Sequence, residues 1–380
     1  MNTPSASKSG RRAPLASRLP DFPWDSLAGA KQRAQAHPDG IVDLSVGTPV
    51  DPTPTLAREA LAGAADWPGY PTVWGTAELR SSIRDYLQGR WRSVALADEN
   101  VLPVIGTKEA VAWLPTMLDL GAQDTVVIPS TAYPTYEVGA AMVGATIIAS
   151  DDPAQLAREG ITPALVWINS PANPHGKVLD VDELRAWVSF CRATGAVLAS
   201  DECYGEFCWE AEALSILDPA VNDGDIGNLL VLHSLSKRSN LAGYRAGFIA
   251  GCSRLVMELL EVRKNFGMML PGPVQQAMAA TLADHGHVEE QRQRYLARRA
   301  QLRPALEAAG FTIDHSEASL YLWATRGEDC RATVDWLAER GILVAPGDFY
   351  GTVSTQHVRI ALTATDERIA AAARRLTPGA

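Results

Sequence analysis

Leu229-Leu-Val-Leu-His-Ser-Leu-Ser-Lys237-Arg-Ser-Asn-Leu-Ala-Gly-Tyr-Arg245-Ala-Gly-Phe-Ile249 places one lysine between two apolar runs. The runs 229–233 and 246–249 read as strands buried on both faces, because they are continuously apolar rather than alternating. A lysine leaving such a strand stands at the sheet edge where open α/β sheets bind ligands. Its amine can form an imine with an aldehyde. The hydroxyl of Ser234 or Ser236 can donate to a phosphate, and Arg245 can pair with the same phosphate through its planar fork. The combination suits a ligand that carries both groups; a surface lysine beside a serine-rich turn is the competing reading.

The same texture extends outward. Short apolar runs at 101–105, 125–128, 146–149, 165–168 and 196–200 alternate with helical patterns at 109–118, 136–143 and 181–193. Buried strands separated by helices predict an α/β unit with a mostly parallel sheet of seven strands sandwiched by helices. After Pro273 the pattern becomes a long charged helix at 288–309, then strand-like runs at 321–324, 342–345 and 357–361 around a helix at 333–339. This reads as a smaller α+β unit, against which the segment 24–35 packs. The expected division is a tail at 1–20, a large domain at 47–274, and a small discontinuous domain at 21–46 and 275–380.

Composition narrows the function classes. The 380 residues are 47% apolar, enough for a sizeable core, and the formal net charge is -10. No basic stripe exists to neutralise nucleic-acid phosphates. No run reaches the roughly 18 apolar residues of a membrane span. Arg11-Arg12 hints at twin-arginine export, but residues 13–20 interleave Arg18 and two prolines where an apolar run should follow. The expectation is a disordered basic tail on a cytoplasmic protein. Five scattered cysteines form no disulfide framework, and the near neighbours His285 and His287 lack metal-ligand spacing.

Four further stretches carry chemistry. Gly106-Thr107-Lys108-Glu109-Ala110 takes a strand into a helix through glycine, where free N–H groups make an anion site. Ser200-Asp201-Glu202-Cys203-Tyr204 puts an acid at a strand end. His357-Val-Arg359-Ile-Ala points an arginine from an apolar strand, which requires an anionic partner; a structural salt bridge is the alternative. Asn169-Ser-Pro-Ala-Asn173-Pro-His175-Gly176 is an asparagine-proline turn. It ends in Gly176-Lys177 like a phosphate loop, but Pro171 stands where that loop needs its first glycine, so a nucleoside triphosphate site is rejected.

Together these stretches resemble the fold-type I, class I/II aminotransferases, and the resemblance covers nearly the whole chain. It implies an α/β fold-type I transferase using pyridoxal 5'-phosphate (PLP), with Lys237 as the Schiff-base lysine. Gly106, Thr107, Lys108, Ser234, Ser236 and Arg245 would surround the phosphate. Tyr133, in Pro129-Ser-Thr-Ala-Tyr133-Pro-Thr-Tyr136, would lie over the pyridine ring. Asp201 would keep the ring nitrogen protonated, making the ring an electron sink. Asn173 and Tyr204 would bond its 3'-oxygen; the family usually has threonine where His175 stands. Arg359 would clamp the substrate α-carboxylate beside Asn173, with Gly47 of Val46-Gly47-Thr48-Pro49 approaching the same group. Tyr70, in Gly69-Tyr70-Pro-Thr-Val-Trp-Gly75, would reach the phosphate of a neighbouring subunit, which makes a homodimer the active unit.

A finer likeness bears on substrate. Leu19-Pro-Asp-Phe-Pro-Trp24-Asp-Ser-Leu27, the loop Leu44-Ser-Val-Gly47-Thr-Pro-Val-Asp-Pro52 and Ser236-Lys-Arg-Ser-Asn-Leu241 look like those of actinobacterial succinyldiaminopimelate aminotransferases. That implies glutamate and 2-oxoglutarate as the amino-group couple and lysine biosynthesis as the setting. Arg238, Arg84 and Lys264 are candidates by charge alone for the distal end of such a substrate. The rival readings are an alanine, aspartate or aromatic aminotransferase, a C–S β-lyase, and a PLP-sensing regulator. The regulator needs a DNA-binding domain that the residues before the fold are too few to form.

Overall fold

The structure is a computed structural model that describes residues 14–377. Seven strands form its central sheet: β1 (Val101–Ile105), β2 (Thr125–Ile128), β3 (Thr146–Ala149), β4 (Leu165–Asn169), β5 (Val197–Asp201), β6 (Leu229–Ser234) and β7 (Ala246–Gly251). Their order is β1-β7-β6-β5-β4-β2-β3. Every pair is parallel except the two that β7 makes, with β1 and β6. The mostly parallel seven-stranded sheet is therefore as the sequence predicts. β7 runs backwards because the short link carrying Lys237 contains no full crossover helix.

The apolar runs are explained by what covers them. Successive residues of a strand face opposite sides, and two core clusters divide them accordingly. Val101, Val127, Val166, Leu198 and Val231 pack with the helices Ala77–Trp91 and Val181–Thr194. Leu102, Val126, Leu165, Ala199 and Leu230 pack on the other face with Thr107–Met117, Thr135–Val143 and Ser253–Phe266.

A second sheet, antiparallel, contains β8 (Thr312–Asp314), β9 (Tyr321–Thr325), β10 (Ala345–Pro346) and β11 (His357–Ala361) in the order β10-β11-β9-β8. A third core cluster joins it to Leu27, Ala30 and Ala34 and to Leu302 and Leu306 of the long helix Gly286–Ala308. Segment 24–35 does pack against this part of the chain.

Three expectations need correction. The run 342–345 is two short strands, since Ile342–Leu343 pairs in parallel with Val42–Asp43 while Ala345–Pro346 pairs with β11. The helix Gly272–Ala283, expected with the small domain, packs through Ala277, Met278 and Leu282 on the core that holds Leu79 and Ile83. Pro273 stands in the first turn of that helix, a position that proline favours. Of the expected tail, residues 1–13 lie outside the described residues, but Leu15–Arg18 forms a single turn with Ser17 Oγ donating to Pro14 O. Among the described residues no helix is long and apolar enough to cross a membrane.

Candidate active site

Strand register brings the chemistry to one edge. Asn169 ends β4 opposite Asp201, which ends β5, and Ser234 ends β6 opposite Gly247. Because β7 runs against the rest, its start lies beside the ends of its neighbours, with Ala246 opposite Ile105. Arg245 and Gly106 therefore meet. Gly106 has φ of 75° and caps the helix Thr107–Met117, and a side chain there would collide with the Arg245 guanidinium. The result is a cradle of free helix N–H groups and an arginine fork, which suits a phosphate. Ser234 and Ser236 are buried beside it, and Ser234 Oγ accepts from the Ser236 N–H at 3.1 Å, leaving its own proton to give. The Lys108 ammonium lies 5.7 Å from the centre of the Phe22 ring, so what Lys108 offers the cradle is its backbone N–H.

Lys237 stands in the single helical turn Leu235–Arg238 that follows β6. Burial holds its ammonium below the ordinary lysine value, and the nearby Arg359 and Arg245 push the same way against Tyr321 and Cys203. A depressed pKa leaves more of the amine neutral, and so available as nucleophile or general base. The turn is braced from behind. Arg238 is buried, donating to Glu206 and to the carbonyl of Thr281 at 2.7 Å, which removes it as a candidate for a substrate's distal end. Charge alone misreads it, because its partners come from distant segments. Ser239 Oγ is 2.8 Å from His287 Nε2, and His287 Nδ1 is 2.5 Å from Asp284 Oδ2. Arg84 pairs with Asp98 and Lys264 with Glu261, so neither is a free cation.

Asp201 is buried and belongs to no ion pair with lysine or arginine among the described residues. Burial raises its carboxyl above the ordinary value, while the hydrogen bonds from Cys203 and Tyr136 oppose this. Tyr136 Oη donates to Asp201 Oδ2 at 2.8 Å, and the Cys203 N–H donates to Oδ1 at 3.2 Å. Tyr136 is itself fixed by stacking on Trp167, with ring centres 4.9 Å apart. Tyr133 meets Tyr136 edge to face at 5.8 Å, and burial pushes its phenol up to about 12.

Arg359 projects from β11 opposite Trp323 of β9, so Tyr321, two residues along, is its diagonal neighbour on the same face. The guanidinium carbon lies 4.1 Å from the Tyr321 ring centre and 5.1 Å from that of Tyr350. Arg359 donates to Asn173 Oδ1 at 2.9 Å and to the carbonyl of Ser45 at 2.7 Å; its buried Nε has no partner. Asn173 is held in turn by its N–H on Asn169 Oδ1 at 2.8 Å. Gly47 is close by: a side chain there would run into the Tyr321 ring and hydroxyl. The structure thus gathers Lys237, Asp201, Tyr204, Asn173, Gly47 and Arg359. His175 serves the turn, its Nδ1 accepting from the Lys177 N–H at 3.1 Å, and burial with the neighbouring His315 pushes it down to about 3. Tyr70 is 96% exposed and touches none of them.

Two functional candidates escape sequence reading. Tyr136 is one and Tyr321 the other, and each looks like core from its local sequence.

A family model described as aminotransferase class I and II matches residues 39–376. The chain is 58% identical over 366 residues to a probable aminotransferase of Mycobacterium tuberculosis, covering 96% of this chain and 87% of that one. It is 55% identical over 359 residues to the 4-dedimethylamino-4-oxo-anhydrotetracycline transaminase OxyQ of Streptomyces rimosus, covering 94% and 99%. Among solved structures, a probable N-succinyldiaminopimelate aminotransferase from Thermus thermophilus aligns with a TM-score of 0.83 at 28% identity, covering 93% and 98%.

The cofactor of this family is PLP, and the residues present fit it. The cradle at Gly106 and Arg245 accepts a phosphate that a Cβ would exclude. The depressed amine of Lys237 matches the aldehyde, and a buried acid without a protein cation awaits a protonated ring nitrogen. With the fold, the site chemistry and the match across 39–376 in agreement, the chain belongs to the PLP-dependent class I and II aminotransferase family.

Proposed function

We propose that the enzyme moves an amino group between N-succinyl-LL-2,6-diaminopimelate and the glutamate/2-oxoglutarate couple, within lysine biosynthesis. The observation that carries an α-amino-acid substrate is Arg359, a buried cation with no carboxylate partner among the described residues and an unpaired Nε. Such a group is costly unless a bound anion completes it. The choice of the succinylated substrate rests on the likeness of the 19–27 and 44–52 segments and on the Thermus thermophilus neighbour of that name.

PLP, when bound, supplies an electron sink for a negative charge at the substrate α-carbon. Lys237 would hold the cofactor through its amine, in the turn that follows β6. The Lys237 Nζ, when free and easily deprotonated, takes the proton from the α-carbon. Asp201 keeps a negative charge at the ring nitrogen, with Tyr136 and the Cys203 N–H holding the carboxylate in position. Tyr204 would donate to the ring oxygen. Arg359, anchored on Asn173 and Ser45, would hold the substrate carboxylate. The two half-reactions share one site, so double-reciprocal plots for the two substrates should run parallel. Tyr70 completes the phosphate site of a partner subunit in this reading, as its exposure in the single chain allows; a monomeric holoenzyme with full turnover would remove that role.

The test is a half-reaction without keto acid. Mixing the PLP form with a panel of amino acids should give a stable change to the pyridoxamine spectrum with N-succinyl-LL-2,6-diaminopimelate and with glutamate. Conversion by alanine, aspartate or aromatic amino acids instead would move the assignment within the family, and release of pyruvate and ammonia would make the enzyme a lyase. A second reading follows from the 55% identical OxyQ, which is named for a polycyclic ketone: amination of a large cyclic ketone, signalled by conversion only with the corresponding cyclic amine.

Replacing Arg359 by alanine should raise KM for every α-amino acid that reacts. Loss of charge-assisted hydrogen bonds to a carboxylate predicts a rise of about 10- to 100-fold. Unchanged KM across the panel would place the carboxylate clamp elsewhere.

A further inference from the structure

The hydroxyls of Tyr204 and Tyr321 lie 3.0 Å apart, and the two residues are only 8% and 3% exposed. Each phenol has one proton to give and lone pairs to accept with. Among the described residues neither hydroxyl has another hydrogen-bond partner within the chain. One proton therefore closes the pair and the other is left over. Burial also holds the Tyr204 phenol well above its ordinary value, and Tyr321 beside it adds to the effect, so Tyr204 keeps its proton. With little water in reach, the surplus proton needs an acceptor on whatever the site binds.

Which hydroxyl points outward depends on the neighbours. The Arg359 guanidinium carbon stands 4.1 Å from the Tyr321 ring centre. A cation there draws electron density from the ring and favours Tyr321 as the donor of the pair. The chain also keeps Tyr321 in place by leaving Gly47 without a side chain, since a Cβ at 47 would fall on its ring and hydroxyl. Tyr321 belongs to β9 in the second sheet, whereas Tyr204 follows β5 in the first.

We propose that Tyr321 is a positioning residue: its O–H donates to Tyr204 Oη and so turns the Tyr204 proton toward the ring oxygen of the bound cofactor. The second sheet thereby sets the direction of a hydrogen bond made at the edge of the first. The inference rests on the role given to Tyr204 above.

The experiment follows the visible absorbance of the cofactor–Lys237 linkage against pH in the holoenzyme, for Tyr204→Phe, Tyr321→Phe and the double variant. A donor to the ring oxygen stabilises its anionic form and makes the neighbouring linkage nitrogen less basic, so losing that donor moves the midpoint up. Tyr204→Phe should do this outright. Tyr321→Phe, which removes one oxygen and keeps the ring over Arg359, should move it the same way by about half a unit, equivalent to a threefold change. Its kcat should fall about three- to tenfold, the worth of one net hydrogen bond, with KM for amino acids little changed. In the Tyr204→Phe background, Tyr321→Phe should add no further shift.

An unmoved midpoint in Tyr321→Phe beside a shifted one in Tyr204→Phe would overturn the proposal and leave the Tyr204 reading intact. An equal shift from Tyr321→Phe in both backgrounds would also overturn it, because Tyr321 would then act on the cofactor directly. No shift in Tyr204→Phe itself would remove the Tyr204 role and this inference with it, a failure told apart by the single variant alone.

Discussion

Lys237→Ala should abolish the absorbance of the lysine-bound cofactor and lower turnover by about 10⁴ or more, the upper range for losing a positioned general base. Two functions disappear together in that variant, the covalent hold on the cofactor and the proton carrier. The phosphate cradle at Gly106 and Arg245 remains, so PLP should still bind, with its spectrum that of the free aldehyde. The protein should stay folded. Lys237 is only partly buried, and the turn that carries it is held by Arg238 on Glu206 and Thr281 and by the chain from Ser239 through His287 to Asp284. Retention of the linkage absorbance and of turnover would mean that another lysine forms the imine.

The contrast between Lys237 and its surroundings also shows what the sequence makes legible. Strands β4 and β6 are buried from end to end and β5 is buried beyond Val197, and this burial is why their sequences are continuous apolar runs that can be read as a parallel sheet. Asp201, Asn173 and Lys237 follow such runs directly, so their place at the sheet edge comes from chain order alone. Tyr136 does not have that advantage. It lies 65 residues from Asp201, and nothing in Pro129 to Tyr136 says which tyrosine meets the acid and which is free for the ring. Tyr321 sits within Leu320-Tyr-Leu-Trp323, an apolar run whose bland reading is core; only the register of β9 against β11 sets it beside Arg359. Arg238 fails in the opposite direction. Charge suggested an exposed cation, and tertiary partners from 32 to 46 residues away bury it. Local pattern reports strand ends well because the strand itself is the signal, whereas side chains that meet across sheets depend on register that no local window contains.

Asp201→Asn should be the second large loss, and its cause is charge rather than shape. The side chain keeps its size, the Cys203 N–H can still bond the amide oxygen, and stacking on Trp167 still holds Tyr136. What vanishes is the buried negative charge that, on the proposed mechanism, would face a protonated ring nitrogen. Removing electrostatic stabilisation of this kind lowers kcat by about 10²–10³, while PLP, held at its phosphate and by Lys237, should still bind. A cofactor methylated at the ring nitrogen is cationic without help from an acid. It should therefore recover part of the lost turnover in Asp201→Asn and none in Lys237→Ala, where the proton carrier is gone. Turnover at the parent level with ordinary PLP in Asp201→Asn would reduce Asp201 to a turn residue that caps the Cys203 N–H. On the proposed mechanism the two variants divide the chemistry: Lys237→Ala removes the base that would take the α-proton, Asp201→Asn the charge that would let the electrons it leaves behind be stored.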